Sequence, residues 1–529
     1  MRSLLLVGSV LVASSFACSS SDGGADAPVA TAGAGGQSGG GKSGNAGSAG
    51  KGGAGGAGKS GSGGAFAKGG AAGAGAKAGA AGNAQGGAGA SGKGGAAGAG
   101  ASGGSTGKGG AGAGGSSAGA SGGSGGGTAG APGCGSEGWP TYGHDAHRSF
   151  ASTGCLKGTL STAWRYAPTP PMGETVGGVF HAITDGPSVY LSWRGHMGPY
   201  FGTPFVDKVG ADGKGIWQYT VGDDSSFGSW ISLAVGALVV NDDGLVYVDV
   251  ATGKATHNAG VDYWGQTAPG EGRVYVVNAE HVDGPGVFVG AYDADQKQSW
   301  VQNQATGAGQ FNPVDTVGGI AEDGGALFFA GHYMGTPPPM LESGVYAFDA
   351  AIGTPKWKQS STPAGPPSAG GGLVYLAETV AGATQLVARK QSDGSVAWSA
   401  TPGAQYSGGQ PPVLAAGLAI VQNGTSILAY HADTGAPAWT AAVTTGFSFS
   451  GGYEPAKTML AAAIGSGTLV ALGTSMMGKP SVTILDLASG AVLGTTEIAM
   501  AMGTIVDPVI VGKRLYVTDG QGLVALDAP

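Results

Sequence analysis

A short frame that ends in tryptophan recurs along the second half of the chain. In its clearest copy, Gly353 follows Asp349 by four residues and Trp357 follows Gly353 by four more. Four further copies and two degenerate ones run from Gly213 to Trp217, Gln296 to Trp300, Gly394 to Trp398, Gly435 to Trp439, Gly253 to His257 and Gly490 to Gly494. Self-similarity at a period of about 40–50 residues indicates a repeat architecture, because one such unit is too small to bury its apolar face alone.

Each repeat carries the pattern of short β-strands. Apolar runs rich in β-branched and aromatic residues precede the turns, for example Leu245–Asp249 and Arg273–Val277, and Gly, Asn and Asp separate them. Such runs favour antiparallel strands. No window shows a sustained 3.6-residue apolar period that would favour a helix. Units of four strands predict an all-β fold, a β-propeller of four-stranded antiparallel blades.

Seven complete units and a partial eighth follow one another in the sequence. The complete units lie near residues 178–220, 228–260, 264–303, 314–361, 366–402, 410–443 and 453–499. The partial unit, at residues 505–529, lacks its outer strand. The segment Leu160–Tyr166, which contains Trp164, precedes the first unit and can supply that strand. The sequence therefore predicts eight blades closed by an N-terminal strand, which leaves no unpaired edge where the two ends of the ring meet.

The repeat resembles that of the pyrroloquinoline-quinone-type (PQQ-like) propellers, whose blades carry a Leu-Tyr-Ala-Leu-Asp-x-x-Thr-Gly-x-x-x-Trp motif. Val345–Trp357 and Ile427–Trp439 match this motif closely, and Gly138–Ser149 is similar to the segment with which many members begin. In that family the tryptophan docks between neighbouring blades. The resemblance therefore implies a structural, blade-docking role for Trp164, Trp217, Trp300, Trp357, Trp398 and Trp439.

The same resemblance bears on cofactors and catalysis. Quinone-dependent dehydrogenases of the family generally bind PQQ beside a calcium ion, and many carry two adjacent cysteines near it. This sequence has three cysteines, none of them adjacent, and no His-Glu-x-x-His pair. No cofactor is therefore assigned, and PQQ with calcium stays as an alternative. A non-catalytic propeller, similar to the family's outer-membrane assembly scaffold lipoprotein, is favoured over an enzyme.

The first 17 residues have the pattern of a secretory signal peptide. Arg2 is followed by the apolar stretch Leu4–Val12, which is too short to cross a bilayer, since a spanning helix needs about 20 apolar residues. Ser15–Cys18 resembles a bacterial lipobox, which predicts a lipid on Cys18 and a place at the outer membrane or cell surface. Ser15 departs from the lipobox pattern. Cleavage after Ala17 by an ordinary signal peptidase would instead give a secreted or periplasmic protein.

Residues 18–133 consist almost entirely of Gly, Ala and Ser, with Phe66 as their one aromatic residue. A segment of this composition cannot form a core and behaves as a flexible coil, with an end-to-end distance of about 60 Å for some 115 residues. The sequence thus predicts three parts: a signal peptide at 1–17, a lipid-anchored disordered linker at 18–133 and a PQQ-like repeat propeller at 134–529. We call the third part the head.

Charge differs between the linker and the head. Eight basic residues against Asp22 and Asp26 give residues 1–133 a net charge of +6, so the head carries −14 within the total of −8. An acidic head argues against nucleic acid as a partner, because binding to phosphates needs clustered Lys and Arg. The spaced lysines of the linker could lie along anionic surface polysaccharide; the alternative is that they only keep the linker solvated.

The two remaining cysteines, Cys134 and Cys155, stand where the head begins. An exported protein can keep such a pair oxidised, which predicts a disulfide that closes a loop of about 20 residues. That bond would hold the segment Trp139–Arg148 beside the closing strand. Metal-ligand or nucleophile roles for these thiols are the alternatives.

Loops predicted after the second strand of several blades offer a candidate ligand site. Imidazoles and carboxylates at equivalent positions on one face could bind a divalent metal or a sugar, with aromatic rings for stacking. The residues are Trp193, His196, Glu280, His281, His332, Tyr333 and Glu378. The alternative is that these are solvated loop residues, because a whole blade separates His196 from His281. His181 and Glu174 are further candidates for lining the channel.

Two functions fit these features. The first is an envelope-anchored propeller with a monomeric head that acts as a docking scaffold for envelope proteins or surface polysaccharide. The alternative is an exported quinone-dependent oxidoreductase or sugar-acting enzyme that uses the channel mouth. The long linker favours the first, because a tethered head finds partners at a raised effective concentration. Likeness of fold alone is a weak argument for function.

Overall fold

The computed structural model describes most of the head. The described residues are 133–197, 200–222, 230–241, 244–258, 267–270, 272–278, 288–303, 319–331, 343–443, 459–475, 479–499, 501 and 505–529. They form 33 β-strands and a single turn of 3-10 helix at Ile464–Ser466, which confirms the predicted all-β class. Within these ranges no helix has the length and apolarity needed to cross a membrane.

The strands form eight separate sheets of similar design. Two strands precede the first repeat: β1 (Ala151–Ser152) and β2 (Ser161–Tyr166). Blades 1 and 2 contain β3 (Thr175–Thr184), β4 (Ser188–Met197), β5 (Tyr200–Gly210), β6 (Gly215–Thr220), β7 (Trp230–Ala234), β8 (Ala237–Asn241), β9 (Leu245–Val248) and β10 (Ala255–Asn258). Blades 3 and 4 contain β11 (Thr267–Gly270), β12 (Arg273–Asn278), β13 (Phe288–Asp293), β14 (Gln298–Asn303), β15 (Ala321–Asp323), β16 (Ala326–Gly331), β17 (Gly344–Asp349) and β18 (Pro355–Ser360).

The second half of the ring repeats this order. Blades 5 and 6 contain β19 (Ser368–Gly370), β20 (Leu373–Val380), β21 (Ala383–Lys390), β22 (Val396–Ala400), β23 (Val413–Ala415), β24 (Leu418–Asn423), β25 (Ser426–His431) and β26 (Pro437–Ala442). Blades 7 and 8 contain β27 (Leu460–Ala463), β28 (Thr468–Thr474), β29 (Pro480–Asp486), β30 (Val492–Glu497), β31 (Val506–Val511), β32 (Arg514–Thr518) and β33 (Leu523–Asp527).

The eight sheets surround a common axis. The first strand of each blade contacts the first strands of both neighbouring blades, and β31 of blade 8 contacts β3 of blade 1, so these strands form a closed inner ring. Strand β2 completes blade 8 by pairing antiparallel with β33, from Ser161 opposite Asp527 to Tyr166 opposite Leu523. The predicted eight blades and their closure by an N-terminal strand are confirmed.

The repeated tryptophans join neighbouring blades at six of the eight junctions. Trp398 of blade 5 lies over Gly435 in the turn between β25 and β26 of blade 6, and its indole Nε1 donates to the carbonyl oxygen of Ala432 at 2.9 Å. Gly435 has a φ of 70°, and a Cβ added to it would lie 2.5 Å from the indole. The Trp and the Gly of the motif are therefore the two halves of one inter-blade contact. The pairs are Trp164 with Gly213, Trp217 with Gly253, Trp300 with Gly353, Trp357 with Gly394, Trp398 with Gly435 and Trp439 with Gly490.

The junction between blades 2 and 3 departs from this pattern in both halves. Blade 2 has His257 at the tryptophan position, and the facing turn of blade 3 has Gln296 at the glycine position, with a φ of 64°. Position 296 can carry a side chain because His257, unlike a tryptophan, places no indole over this turn. The tryptophan and the glycine are thus replaced together, since in the other junctions the indole packs directly on the glycine.

The junction between blades 7 and 8 is filled by the N-terminal part of the head. Gly494 takes the tryptophan position in blade 7, and a Cβ added there would meet no atom within 4 Å. The chain runs outward along this junction, with Leu156 and Leu160 buried in the main core. The backbone N–H of Leu160 donates to Oγ1 of Thr496 on the outer strand at 3.1 Å. This segment thus takes over the contact that tryptophan makes elsewhere.

Residues 134–155, which we call the belt, run once around the inner ring. The belt forms hydrogen bonds with blades 1 to 8 in order as it advances. These bonds join Trp139 N to Thr184 O, Leu233 N to Pro140 O, Thr141 Oγ1 to Thr267 O, Glu322 N to Ala146 O, Ala369 N to His147 O, Leu414 N to Ser149 O, Ala462 N to Phe150 O and Cys155 N to Gly512 O. Within the belt, β1 also pairs in parallel with β27 of blade 7. The channel is therefore lined by the protein's own chain on the inside of the inner strands.

Candidate functional site

A disulfide joins the two ends of the belt. Cys134 and Cys155 are bonded to each other, with a sequence separation of 21 and a Cα–Cα distance of 5.2 Å, which confirms the predicted pairing. Backbone hydrogen bonds lie beside it, from Gly135 N to Thr153 O at 3.1 Å and from Gly512 N to Gly135 O at 2.9 Å. The belt is thus a covalently closed loop inside the ring of blades.

A cluster of buried polar side chains lies where the belt meets the inner strands. We call Tyr142, Arg148, His181, Trp230 and Asp507 the axial cluster. His181 comes from β3 of blade 1, Trp230 begins β7 of blade 2, Asp507 comes from β31 of blade 8, and the other two belong to the belt. The imidazole of His181 stacks on the indole of Trp230, with ring centroids 4.2 Å apart and an interplanar angle of 21°. The cluster thus joins both ends of the ring to the belt.

His181 and Asp507 face each other across the junction of blades 8 and 1. Nδ1 of His181 lies 3.7 Å from Oδ2 of Asp507, and their side chains are only 2% and 5% exposed. This separation is longer than a direct hydrogen bond but within the range of an ion pair. Asp507 has a φ of 56°, a left-handed backbone that Asp adopts more readily than most residues. The pair is the innermost polar contact of the ring closure.

Tyr142 packs against several members of the cluster. Its ring centroid lies 5.4 Å from that of His181 and 5.7 Å from that of Trp230. Burial, and after it the charge of Asp507, raises the pKa of Tyr142 well above the usual value, while Arg148 opposes the shift. Its hydroxyl has no hydrogen-bond partner among the described residues. Tyr142 is therefore neutral over the physiological pH range.

Arg148 brings a positive charge into the cluster. Its Nε donates to the carbonyl oxygen of Ile320 in blade 4 at 2.6 Å, and its guanidinium lies 5.5 Å from the centre of the Tyr142 ring. Burial lowers the pKa of Arg148 to about 10. The side chain therefore remains charged at neutral pH, and it ties the belt to the side of the ring opposite the closure.

The axial cluster can bind or release a proton, but it is closed to larger ligands. Four of its five side chains are no more than 6% exposed: Tyr142, Arg148, His181 and Asp507. A substrate would have to displace the belt, which forms hydrogen bonds with all eight blades. The geometry thus favours a structural or proton-binding role for these side chains over catalysis on a bound substrate.

The described side chains do not fit a quinone with its calcium ion. Among them, no three His, Cys, Asp or Glu side chains lie close enough together to hold a metal ion. Asp507, on the inner strand of blade 8, faces an imidazole, whereas calcium takes 6–8 oxygen ligands. The described residues around the belt therefore do not supply the oxygen ligands of a calcium-bound cofactor.

The structure corrects the predicted loop site. Trp193 and His196 lie within β4 and Glu378 lies within β20, because these strands are longer than the apolar runs that mark them in the sequence. Trp193 is fully buried and stacks on Phe205 with centroids 4.5 Å apart, so its proposed role as a stacking platform for a ligand is wrong. Glu378 is buried and accepts two hydrogen bonds from Arg389, at 2.6 and 2.7 Å, so it is not a loop ligand either.

The structure places the remaining predicted site residues in different parts of the head or does not describe them. His196 is exposed and lies next to the last residue of β4. His181 lies on the inner ring as the sequence suggested, whereas Glu174 binds the hairpin of its own blade through a hydrogen bond from Thr203 at 3.2 Å. Four members of the proposed ligand face and the lipidation site lie outside the described residues: Glu280, His281, His332, Tyr333 and Cys18.

Sequence reasoning missed the partners of His181. Asp507 is 326 positions away in the sequence, and the one signal that could have pointed to it is a carboxylate inside the apolar run Val506–Val511. Tyr142 and Arg148 stand in a segment without strand periodicity. Only the closure of the ring brings these residues together.

A surface groove of about 550 Å³ lies between blades 3 and 4. Its charged lining residues are Arg273, Asp293, Asp295 and Glu322. Nη1 of Arg273 donates to the carbonyl oxygen of Ala350 at 3.3 Å, which fixes the guanidinium between the two blades. The groove therefore offers charges of both signs to a polar partner.

Comparison with known proteins supports the fold. Residues 341–529 match the PQQ_2 family model, described as outer membrane protein assembly factor BamB. A quinohemoprotein alcohol dehydrogenase from Pseudomonas putida HK5 superposes with a TM-score of 0.51 at 13% identity, over 74% of this chain and 80% of that one. BamB from Moraxella catarrhalis gives a TM-score of 0.43 at 13% identity, over 70% of this chain and 99% of that one. No curated protein sequence matches the chain. At 13% identity the likeness to the dehydrogenase supports the propeller fold and no activity.

Proposed function

Because the head is a β-propeller of the PQQ-like repeat family, we propose that the protein is a docking scaffold of the bacterial envelope. In this proposal the chain is exported, a lipid on Cys18 anchors it, and the linker of residues 18–133 carries a monomeric head to its partners. The partners are envelope proteins or surface polysaccharide. Nucleic acid is not among them, because the head is acidic.

The observation that carries this proposal is the belt. A site for a small-molecule substrate or cofactor is a cleft or cavity that buries most of the ligand. Here the belt is hydrogen-bonded to every blade and closed by a disulfide. Side chains that could do chemistry, such as His181 and Asp507, are buried against each other beneath it. What the described head presents to other molecules is therefore its outer surface.

The groove between blades 3 and 4 is a candidate docking place on that surface. Its walls belong to two different blades. The turn of blade 3 is fixed by a hydrogen bond from Lys297 N to Oδ1 of Asp293 at 3.0 Å. Asp295 points outward with its side chain 79% exposed. Preformed polar surfaces of this kind bind with little cost of rearrangement.

Site-specific photocrosslinking in cells tests the proposal. A photoreactive amino acid at Asp295 should give one discrete crosslinked product, and Arg273→Glu in the same chain should remove it by reversing the charge of the groove. The same probe at Lys479, an exposed position of blade 7, should give none. Smears at both positions, or a product that survives Arg273→Glu, would contradict docking in the groove.

A dye-reduction assay tests the alternative enzyme. The purified full chain is incubated with PQQ and calcium and then supplied with alcohols, aldehydes and sugars. The scaffold proposal expects no turnover above that of the dye and cofactor alone. Substrate-dependent turnover would replace the proposal with a quinone-dependent oxidoreductase.

A further inference from the structure

We propose that the axial cluster is a proton-sensitive clasp, which fastens blade 8 to blade 1 more tightly as the pH falls and His181 becomes protonated. The inference is independent of the docking role. It rests on the position of His181 and Asp507 at the innermost point of the ring closure.

The closure is joined by polar contacts near its outer strand and by one on the inner ring. From β2, Trp164 Nε1 donates to the carbonyl oxygen of Ala211 at 3.0 Å, and Nη1 of Arg514 in β32 donates to the same oxygen at 2.6 Å. Also from β2, the hydroxyl of Tyr166 donates to Oδ2 of Asp207 at 2.9 Å. On the inner ring, His181 lies 3.7 Å from Asp507. Trp164 and Tyr166 are neutral donors and Arg514 is already charged, so only the contact between His181 and Asp507 gains an ion pair when a proton is added.

The surroundings of His181 single it out as the group that changes charge. From the belt, Arg148 stays positive at any pH well below 10, and Tyr142 stays neutral because its pKa is raised. From blade 2, Trp230 offers only the face of its indole. From blade 8, Asp507 supplies the carboxylate. An imidazole titrates between pH 5 and 8 more readily than any of these side chains.

Two features favour attraction over simple burial of an extra charge. The carboxylate lies within ion-pair distance, and salt screens a buried pair much less than an exposed one. The indole stacked on His181 adds a cation–π contact when the ring is protonated. Protonation therefore strengthens the contact between blade 8 and blade 1 on the inner ring, where no backbone bond connects the two blades.

The test compares how the melting temperature of the full chain responds to pH. The wild type and His181→Gln are melted at pH 5.5 and pH 8.0, and the acid-induced change in the wild type should exceed that in the variant by about 2 °C. The matched control is His147→Gln. His147 lies 3.6 Å from Asp323 but its side chain is 41% exposed, so solvent screens that pair. An equal pH response in the wild type and both variants would overturn the proposal.

A second measurement uses the stacked indole and leaves the pair intact. A protonated imidazole quenches an indole in contact with it, so the tryptophan fluorescence of the wild type should fall between pH 8.0 and pH 5.5. Trp230→Phe should remove most of this pH-dependent part. If the variant shows the same pH profile as the wild type, His181 does not titrate in this range and the clasp does not exist. This readout decides the question even where His181→Gln fails to fold.

Discussion

The contact between each motif tryptophan and the next blade's glycine predicts an unequal effect of two similar substitutions in blade 6. Gly435 and Gly417 both have a positive φ, of 70° and 76°. Alanine at either position therefore carries the same left-handed strain, about 1 kcal/mol. At Gly417 the new Cβ meets no atom within 4 Å, whereas at Gly435 it lies 2.5 Å from the Trp398 indole. Displacing a packed ring costs about 1–3 kcal/mol, and losing its hydrogen bond to Ala432 about 1 kcal/mol.

Gly435→Ala should therefore destabilise the head by about 2 kcal/mol or more beyond Gly417→Ala. The measurement is the free energy of unfolding from urea denaturation of both variants under the same conditions. Repeating both in a Trp398→Ala background should abolish the difference, because the ring that Gly435→Ala displaces is gone. Equal free energies for the two glycine variants in the wild-type background would refute the account of the motif as a two-part contact.

Two further perturbations have defined outcomes. Replacing Cys134 and Cys155 with serine should lower the free energy of unfolding by about 3 kcal/mol, because the unfolded chain regains the entropy that a closed loop of about 20 residues removes. The replacement should also speed amide hydrogen exchange in the belt, and unchanged exchange would show that hydrogen bonds alone hold the belt in place. Burial raises the pKa of Asp207, so its carboxyl group keeps a proton to a higher pH in the folded state than in the unfolded state. The head therefore loses stability as the pH rises from the unfolded-state pKa of this group through its folded-state pKa. Tyr166 opposes this shift by donating a hydrogen bond to the carboxylate, so Tyr166→Phe should lower the melting temperature more at pH 7 than at pH 4. An equal loss at the two pH values would contradict stabilisation of the Asp207 carboxylate by Tyr166.

The ring itself could be predicted from the sequence because its determinants are local and repeated. Each blade has its own strands, and the spacing from glycine to tryptophan is set by one turn and one outer strand. The orphan Trp164 even identified the closing strand, since it needs a glycine in a following blade and finds Gly213. Because the same contact recurs at six junctions, one motif in the sequence is enough to predict the packing between most blades.

The axial cluster and the belt could not be predicted in this way. The belt contacts the blades mainly through its backbone, and backbone hydrogen bonds leave no requirement on side-chain type. The predicted loop site was wrong for a related reason: Glu378 does not lie in a loop, because Arg389 on the neighbouring strand pairs with it and the strand continues. Sequence patterns show apolar periodicity well but do not show which buried charge has a partner.

The disulfide between the ends of the belt also decides how a pull on the N-terminal side would travel through the head. The covalent path from Cys134 leads through the sulfur atoms to Cys155 and omits the residues between them. Tension would therefore pass directly into the chain at the junction of blades 7 and 8 and from there to β2, which is held along its whole length by β33. The residues between the two cysteines lie outside this covalent path. A head that is pulled on would therefore be strained at the segment that leads to its closing strand before the residues that line its channel.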